Sequence, residues 1–138
     1  MGIYLKDINL KGKTALITGA TKGLGRGAAE AIAEAGGNII AIGRNQSELN
    51  SLGKKIKKLK VNYTSFNCDV NNYNKIKSFI TKLKKLDILV NNAGTNIPEN
   101  FLNVKKISLD TILNVNTKAV FNIAQLCANQ IIKLKRKQ

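Results

Sequence analysis

A glycine-rich stretch near the start of the chain carries the first chemical signal. Residues 18–25 read TGATKGLG and directly follow the apolar run TALIT at residues 14–18. The three glycines let the backbone turn tightly and approach a ligand, while a helix that starts here offers free N–H groups and a dipole that attract anions. The position between a strand and a helix favours the pyrophosphate of a dinucleotide. A turn needed only for close helix–strand packing is the alternative.

The end of the second predicted strand carries the next signal. Residues 38–42 (NIIAI) are followed by Gly43 and Arg44, and no carboxylate comes before Glu48. A carboxylate at this point would bind the ribose hydroxyls of NAD and repel the additional phosphate of NADP. Arg44 can instead hold a phosphate through two parallel hydrogen bonds, and Lys22 adds a second positive charge. We therefore expect NADP(H) to be preferred, with NAD(H) possible and a solvated role for Arg44 as the alternative.

These residues need a scaffold, and the chain supplies alternating strand and helix patterns. Short apolar runs predict strands at residues 14–18, 38–42, 61–67 and 86–90, the last being the strongest pattern. Helices are predicted between them, and a long amphipathic helix of about 27 residues is predicted after the fourth strand. Alternating strands and helices imply βαβ units and a parallel sheet, so the fold class is α/β.

The predicted helices have recognisable faces and ends. In the first, the apolar positions are Leu24, Ala28, Ala31, Ile32 and Ala35, and a Gly-Gly pair stops it. The second begins at about Gln46, and the third is capped by Asn71 or Asn72. The long helix carries one apolar side from Leu109 to Leu134 that contains a single polar residue, Asn116. A local distortion of the helix, or a buried amide bonded to the backbone, is the structural alternative for Asn116.

Five ordered motifs resemble one family, the short-chain dehydrogenases/reductases. They are the TGxxxGxG turn, the CDV at residues 68–70, the LDILVNNAG at residues 86–94, the NVN at residues 114–116, and the LKGK at residues 10–13. The resemblance covers essentially the whole chain. It implies a Rossmann-type doubly wound parallel sheet of strand order 3-2-1-4, ending after the long helix. Residues 1–138 would then form one NAD(P)-binding domain that is incomplete.

The resemblance also assigns roles to residues of this chain. Asn116 would be the catalytic asparagine that helps hold a water in the proton relay, and Thr18 would brace the glycine turn against the NNAG loop. No metal site is expected. The predicted cofactor-binding residues are Thr18, Gly19, Thr21, Lys22, Gly23, Leu24, Gly25, Arg44, Asp69, Val70, Asn91, Ala93 and Gly94.

The family's remaining catalytic residues have no counterpart in the sequence. Members use a Ser and a Tyr-x-x-x-Lys pair that follow a fifth strand, whereas this chain ends where that strand should begin. Tyr73 and Lys77 have the Tyr-x-x-x-Lys spacing, but they precede the NNAG motif on a helix expected to pack outside the sheet. We expect them not to be catalytic. The chain as given would bind cofactor and turn over little or nothing.

The composition of the chain limits the cellular locations and binding partners that we expect. The formal charge is +15, with lysine dominating the basic residues, and no recognition helix or stacking aromatics accompany it. We expect no specific nucleic-acid partner, no membrane partner and a cytoplasmic location. Cys68 and Cys127 lack metal-ligand spacing and are expected to be small buried residues, with a disulfide as the minor alternative.

Three functions remain open in order of preference. The first is an NADP-dependent oxidoreductase of the short-chain family, whose intact form acts on a small-molecule alcohol or carbonyl. The motifs look most like the sugar-acid dehydrogenases such as gluconate 5-dehydrogenase, with 3-oxoacyl carrier-protein reductases as the close alternative. The resemblance implies a homo-oligomer, a dimer or tetramer, formed through the helix at residues 108–134. The second is a binding-only NADP(H) module, and the third is a basic nucleic-acid or anionic-surface binder.

Overall fold

The computed structural model describes residues 8–136, in which four strands alternate with helices. The bounds are β1 Thr14–Thr18, α1 Gly23–Glu34, β2 Asn38–Gly43, α2 Gln46–Lys57, β3 Tyr63–Asn67, α3 Tyr73–Ile80, β4 Ile88–Val90, α4 Lys106–Leu113 and α5 Val120–Lys135. A short 3₁₀ turn, Phe101–Asn103, precedes α4, and a π-helical stretch, Asn114–Ala119, joins α4 to α5. No helix within these residues is long and apolar enough to cross a membrane.

The strands form one parallel sheet of order β3-β2-β1-β4, which confirms the predicted topology. Thr14 of β1 pairs with Asn38 of β2, Ile39 pairs with Tyr63 of β3, and Ala15 pairs with Ile88 of β4. Every residue of β1 is buried, as expected for the central strand of a sheet covered on both faces. The carboxyl ends of the four strands therefore point to one edge of the molecule.

Two apolar cores lie on opposite faces of the sheet, because successive residues of a strand point to opposite sides. On one face, Ile17 and Ile39 pack with Leu49, Leu52 and Ile56 of α2 and with the alanines of α1. The second face joins the other side of β1 and β2 to α3 and α5, and its members are Leu16, Ile40, Ile42, Ile76, Ile80, Ile123 and Cys127. This is the doubly wound arrangement that the sequence predicted.

The fourth strand and the first helix differ from their predicted forms, and β3 begins at Tyr63 rather than at residue 61. The fourth strand, expected over residues 86–90, is the shortest, because only Ile88–Val90 pairs with β1. The backbone N–H of Asp87 bonds the carbonyl of Thr14 at 2.9 Å just before it. The buried side of α1 carries Gly25, Ala29 and Ala33, whereas Leu24 is 87% exposed. Alanines lie on both the predicted and the observed face of this helix. Because α1 lies close to the sheet, the face with the smaller residues is the one that packs against it.

The long last helix is continuous but not uniform. It runs from Lys106 to Lys135 and widens to π geometry over Asn114–Ala119. Most of its buried residues follow this stretch, namely Ile123, Leu126, Cys127 and Gln130, whereas Ser108 and Ala119 are the buried residues before Val120. Earlier members of the predicted apolar side, such as Leu109 and Leu113, are about half exposed. The sequence pattern was therefore right about amphipathicity and wrong about a single uninterrupted buried side.

Candidate functional site

A cleft of about 480 Å³ opens at the carboxyl ends of β1, β2, β3 and β4. Ligands of open α/β sheets bind at this edge, at the point where the strand order reverses on either side of the first strand. The lining residues come from the loops that follow each strand and from the last helix: Gly19, Thr21, Lys22, Ile42, Gly43, Arg44, Asn45, Glu48, Cys68, Asp69, Val70, Asn71, Asn92, Ala93, Gly94, Thr95, Thr111 and Val115.

The glycine turn is shaped by backbone angles and by close contacts. Gly19 and Gly23 have φ values of +64° and +56°, a region that side chains disfavour. A Cβ on Gly19 would lie 2.9 Å from the Cα of Ala93, and a Cβ on Gly25 would overlap the Asn92 amide and the Gly19 carbonyl. The turn and the loop after β4 are therefore packed backbone to backbone, which places both at one wall of the cleft.

The start of α1 differs from the starts of α2 and α3. Asn45 caps α2 by accepting a hydrogen bond from the Glu48 N–H, and Asn72 caps α3 in the same way. At α1 the capping position is Lys22, whose side chain makes no cap hydrogen bond, and no acidic residue lies in the first turn. The first N–H groups of α1, which follow the cleft-lining Lys22, therefore have no side-chain acceptor at the cap, an arrangement suited to an anion.

Thr18 joins the glycine turn to the loop after β4. Its buried hydroxyl oxygen accepts hydrogen bonds from the backbone N–H groups of Asn92 and Ala93, both at 3.0 Å. The Asn92 side-chain amide donates in return to the carbonyls of Thr18 and Gly19, both at 3.2 Å. The predicted bracing role of Thr18 is thus seen in the geometry, and Asn92 completes the same connection.

Four charged side chains line the cleft, two cationic and two anionic: Lys22, Arg44, Glu48 and Asp69. Arg44 is 79% exposed and lies 3.9 Å from the Asp69 carboxylate, which is a weak, solvent-screened pair. Glu48 makes no ion pair or side-chain hydrogen bond within residues 8–136. Arg44 is therefore available to a ligand, and Glu48 is a carboxylate that the ligand must also accommodate.

A charged cluster behind the glycine turn supports it from the α2 side. Arg26 donates to the carbonyl of Thr21 at 3.5 Å and to the hydroxyl of Ser51 at 3.4 Å, and it pairs with Glu30 at 3.2 Å. Lys55 binds the other Glu30 oxygen at 2.6 Å. The hydrogen bond from Lys55 lowers the pKa of Glu30, against the opposing effect of burial. The cluster connects α1 to α2 and so connects two walls of the cleft.

Asn116 lies at the centre of the π-helical stretch and reaches the loop after β4. Its Oδ1 accepts from the N–H of Thr95 and its Nδ2 donates to the carbonyl of Thr95, both at 2.8 Å. Asn91 makes a parallel contact, because its amide donates to the carbonyl of Val120 at 3.0 Å. Both structural alternatives raised for Asn116 are thus partly observed: the helix is distorted and the amide bonds backbone, although the side chain is exposed.

A family profile described as short chain dehydrogenase matches residues 13–138, which is nearly the whole chain. The motifs that build the cleft are within this match. The chain belongs to the short-chain dehydrogenase family.

Curated relatives in this family include enzymes that act on different substrates. The chain is 36% identical over 126 residues to a 3-oxoacyl-[acyl-carrier-protein] reductase of Rickettsia conorii, covering 91% of this chain and 51% of the relative. It is 35% identical over 135 residues to a 2-dehydro-3-deoxy-D-gluconate 5-dehydrogenase of Dickeya dadantii, covering 95% and 53%. The chain spans about half the length of the curated relatives it matches.

A solved short-chain family structure has the same fold. A short-chain type dehydrogenase/reductase from Mycobacterium marinum superposes with a TM-score of 0.86 at 29% identity, covering 96% of this chain and 55% of the solved one. The strand order and the doubly wound architecture predicted from the motifs are therefore those of the family.

The structure brings eight of the thirteen predicted cofactor-binding residues to the cleft wall, namely Gly19, Thr21, Lys22, Arg44, Asp69, Val70, Ala93 and Gly94. The other five have different surroundings. Thr18 and Gly25 are buried behind the wall, Asn91 bonds the last helix, and Gly23 and Leu24 are exposed at the start of α1. Asn116 is not a lining residue, although its partner Thr95 is.

Six polar lining residues were not among the predicted cofactor-binding residues, namely Asn45, Glu48, Asn71, Asn92, Thr95 and Thr111. Only Asn91 of the asparagine pair was predicted, but the side-chain amide of Asn92 is the one that bonds the glycine turn. Glu48 was treated as too distant from β2, yet the first turn of α2 returns it to the cleft. The capping spacing from Asn45 to Glu48 was the signal that could have located it.

The two cysteines are free and buried, as predicted for small core residues. Burial raises the pKa of both thiols, and the pKa of Cys127 reaches about 12. Cys68 lines the cleft, while Cys127 belongs to the α5 core. Both thiols stay protonated at neutral pH, which makes them poor nucleophiles. No group of three or more potential metal ligands occurs within residues 8–136.

Proposed function

We propose that this chain is the cofactor-binding part of an NADP-dependent oxidoreductase of the short-chain family. The observation that carries the proposal is the start of α1, which has no side-chain cap and no acidic residue in its first turn, beside the glycine turn that lines the cleft. Bound NADP(H) would supply hydride exchange with an alcohol or carbonyl carbon. The chain's own residues bind and orient the dinucleotide.

The residues around the cleft fit a dinucleotide in three parts. The N–H groups at the start of α1 and the backbone of Gly19 suit the pyrophosphate, since glycine lets the backbone approach closely. Asp69 and Val70 follow β3 and suit an adenine ring. Gly94 has room for a methyl group on the protein side, because its nearest neighbour would be Asn116 at 3.6 Å. No contact within residues 8–136 requires a glycine at position 94. We propose that a bound ligand occupies the space that a side chain there would fill.

Arg44 and Lys22 favour NADP over NAD in this proposal. Arg44 directly follows β2 and its guanidinium is mostly exposed, so a ribose phosphate can displace the weak pair with Asp69. Glu48 opposes the same phosphate by repulsion. We propose that the net preference is for NADP, set by the stronger hydrogen-bonding capacity of Arg44.

The substrate in this proposal is a small-molecule alcohol or carbonyl compound. The relatives include both an acyl-carrier-protein reductase and a sugar-acid dehydrogenase. We favour a sugar acid because GATKGLGR at residues 19–26 and GTNIP at residues 94–98 look most like the sugar-acid dehydrogenases. We also propose that Asn116 orders a water of the proton relay. The exposed apolar residues of the last helix, such as Leu109 and Leu113, support assembly into a homo-oligomer.

A binding-only module is the second candidate, and one observation favours it. No tyrosine is among the residues that line the cleft, and the Tyr73–Lys77 pair lies outside it. Assay of the purified chain with NADPH and a panel of carbonyl substrates separates the two candidates. Measurable turnover supports the enzyme, whereas cofactor binding without turnover supports the module.

The cofactor preference is tested with two variants. Arg44→Ala should weaken NADPH binding about tenfold, the value of one charge-assisted contact, and leave NADH binding within about twofold. Glu48→Gln should strengthen NADPH binding about two- to fivefold by removing a repulsive carboxylate. Equal losses for both cofactors in Arg44→Ala would contradict the proposed role of Arg44.

A further inference from the structure

The fold collects lysines that are scattered in the sequence at the edge of the sheet opposite the cleft. Parallel strands bring their amino ends together, and the helices return to the same edge. The segments that lead into the four strands are residues 8–13, 34–37, 57–62 and 81–87, and the last turn of α5 is residues 131–136. We call these five segments the basic pole.

The end of α5 belongs to this edge on direct evidence. The side-chain amide of Gln130 donates to the carbonyl of Leu83 at 2.6 Å, and Leu83 lies in the loop before β4. Ile131 and Leu134 pack against the core that contains Leu86. Lys133, Lys135 and Arg136 are therefore close to the loop that holds Lys82, Lys84 and Lys85.

The charge asymmetry between the basic pole and the rest of the molecule is large. The 29 residues of the pole hold eleven basic side chains and two carboxylates, Glu34 and Asp87. The other 100 described residues hold ten basic side chains and five carboxylates. Asp87 accepts a hydrogen bond from the Thr14 N–H at 2.9 Å and pairs with Lys13 at 3.8 Å, and the pole keeps a formal net charge of +9. All eleven basic side chains are exposed.

Stabilisation of helix ends accounts for only part of this pattern. Lys57, Lys133 and Lys135 lie in the last turns of their helices, where a cation interacts favourably with the dipole. Four others lie away from helix ends, so the helix dipole does not account for them: Lys11, Lys13, Lys84 and Lys85.

The residue types indicate a lipid surface more than a nucleic acid. The pole contains no aromatic residue on which a base could stack, and Arg136 is its single arginine. It carries instead three exposed aliphatic residues, Ile8, Leu59 and Ile132. Clustered lysines with exposed aliphatic side chains are the pattern of peripheral binding to anionic lipid.

We propose that the basic pole docks this protein on an anionic lipid surface, with the cleft at the opposite edge open to solvent. This departs from the sequence-based expectation of no membrane partner. The lysines neutralise lipid phosphate groups, and the aliphatic side chains enter the headgroup region. The proposal is independent of the cofactor, because no residue of the pole lines the cleft.

The test compares two triple variants of equal charge change. Lys82→Glu, Lys84→Glu and Lys85→Glu alter the pole, while Lys75→Glu, Lys105→Glu and Lys106→Glu alter helix starts on the cleft side. Sedimentation with phosphatidylcholine vesicles, with and without phosphatidylglycerol, measures partitioning at physiological salt. The pole variant should bind at least about 100-fold more weakly to the anionic vesicles. The control should change less than about fivefold, because salt screens distant charges.

Vesicle binding by an Ile132 variant and binding to a duplex DNA fragment separate lipid binding from general polyanion binding. Thermal unfolding confirms that each variant is folded. Ile132→Asn should weaken vesicle binding severalfold and leave binding to a duplex DNA fragment unchanged. Three results would each overturn the proposal. The two triple variants could weaken vesicle binding equally, the wild type could bind the DNA fragment more tightly than anionic vesicles, or the wild type could fail to bind vesicles.

Discussion

The side chain of Asn116 holds both backbone polar groups of Thr95, each at 2.8 Å. A wide π turn in the last helix makes this reach possible, because it turns Asn116 toward the loop after β4. Replacement of Asn116 by Ala should therefore release the loop. We expect faster hydrogen exchange at the Thr95 amide and a loss of about 1 kcal/mol in the free energy of unfolding.

Asn122 offers a matched control for that variant, since it lies one turn beyond the π stretch and makes no bond to the loop within residues 8–136. Asn122→Ala should leave exchange at Thr95 unchanged. Unaltered exchange at Thr95 in the Asn116 variant would show that the contact does not hold the loop.

Thr18 gives a sharper prediction, because its hydroxyl is buried and accepts two backbone N–H groups. Thr18→Val keeps the shape and leaves both donors unsatisfied, so the free energy of unfolding should fall by about 2–4 kcal/mol. Thr18→Ser keeps the acceptor and should cost about 1 kcal/mol for the lost methyl. Urea unfolding of both variants measures the difference, and equal losses would refute the hydrogen-bonding role.

Two glycines of α1 allow a paired test of packing. A Cβ at Gly25 would overlap the Asn92 amide and the Gly19 carbonyl, whereas a Cβ at Gly27 meets nothing within 4 Å. Gly25→Ala should lower the free energy of unfolding by about 2–3 kcal/mol. Gly27→Ala should raise it by about 0.5–1 kcal/mol, because alanine is the better helix residue. Similar melting temperatures for the two variants would contradict the packing of the turn against the loop.

The cluster behind the glycine turn predicts a pH dependence. Lys55 lowers the pKa of Glu30 below its ordinary value of 4.5, so the pair contributes stability above that pH. This contribution is lost as pH falls through the lowered pKa. The wild type should therefore lose stability more steeply than Glu30→Gln below pH 4.5. Parallel stability curves, measured by urea unfolding across this range, would count against the pairing.

The parts of the fold that the sequence predicted well are those set by local patterns. The TALIT strand, the start of α2 at Gln46, the cap at Asn72 and the glycine stop after α1 each depend on neighbouring residues, and each lies where the pattern indicates. The strand order followed from the family motifs. Their spacing is read directly from the sequence and needs no knowledge of tertiary contacts.

The errors arose where tertiary packing decides between equivalent local choices. The spacing of apolar residues could not tell which face of α1 is buried, because alanines lie on both candidate faces. It could not reveal the π turn around Asn116 either, since that geometry is stabilised by the contact with Thr95 from another loop. Asn92 and Glu48 reach the cleft through the loop after β4 and the first turn of α2, whose paths no local pattern predicts.

Calorimetric titration of the purified chain with NADPH, and separately with NADH, tests the central claim most directly. We expect one site per chain, with NADPH bound about tenfold or more tightly than NADH, because Arg44 and Lys22 gain a phosphate partner. Equal affinity for the two cofactors, or tighter binding of NADH, would contradict the preference for NADP. The absence of binding by a sample shown to be folded would contradict the cofactor site itself.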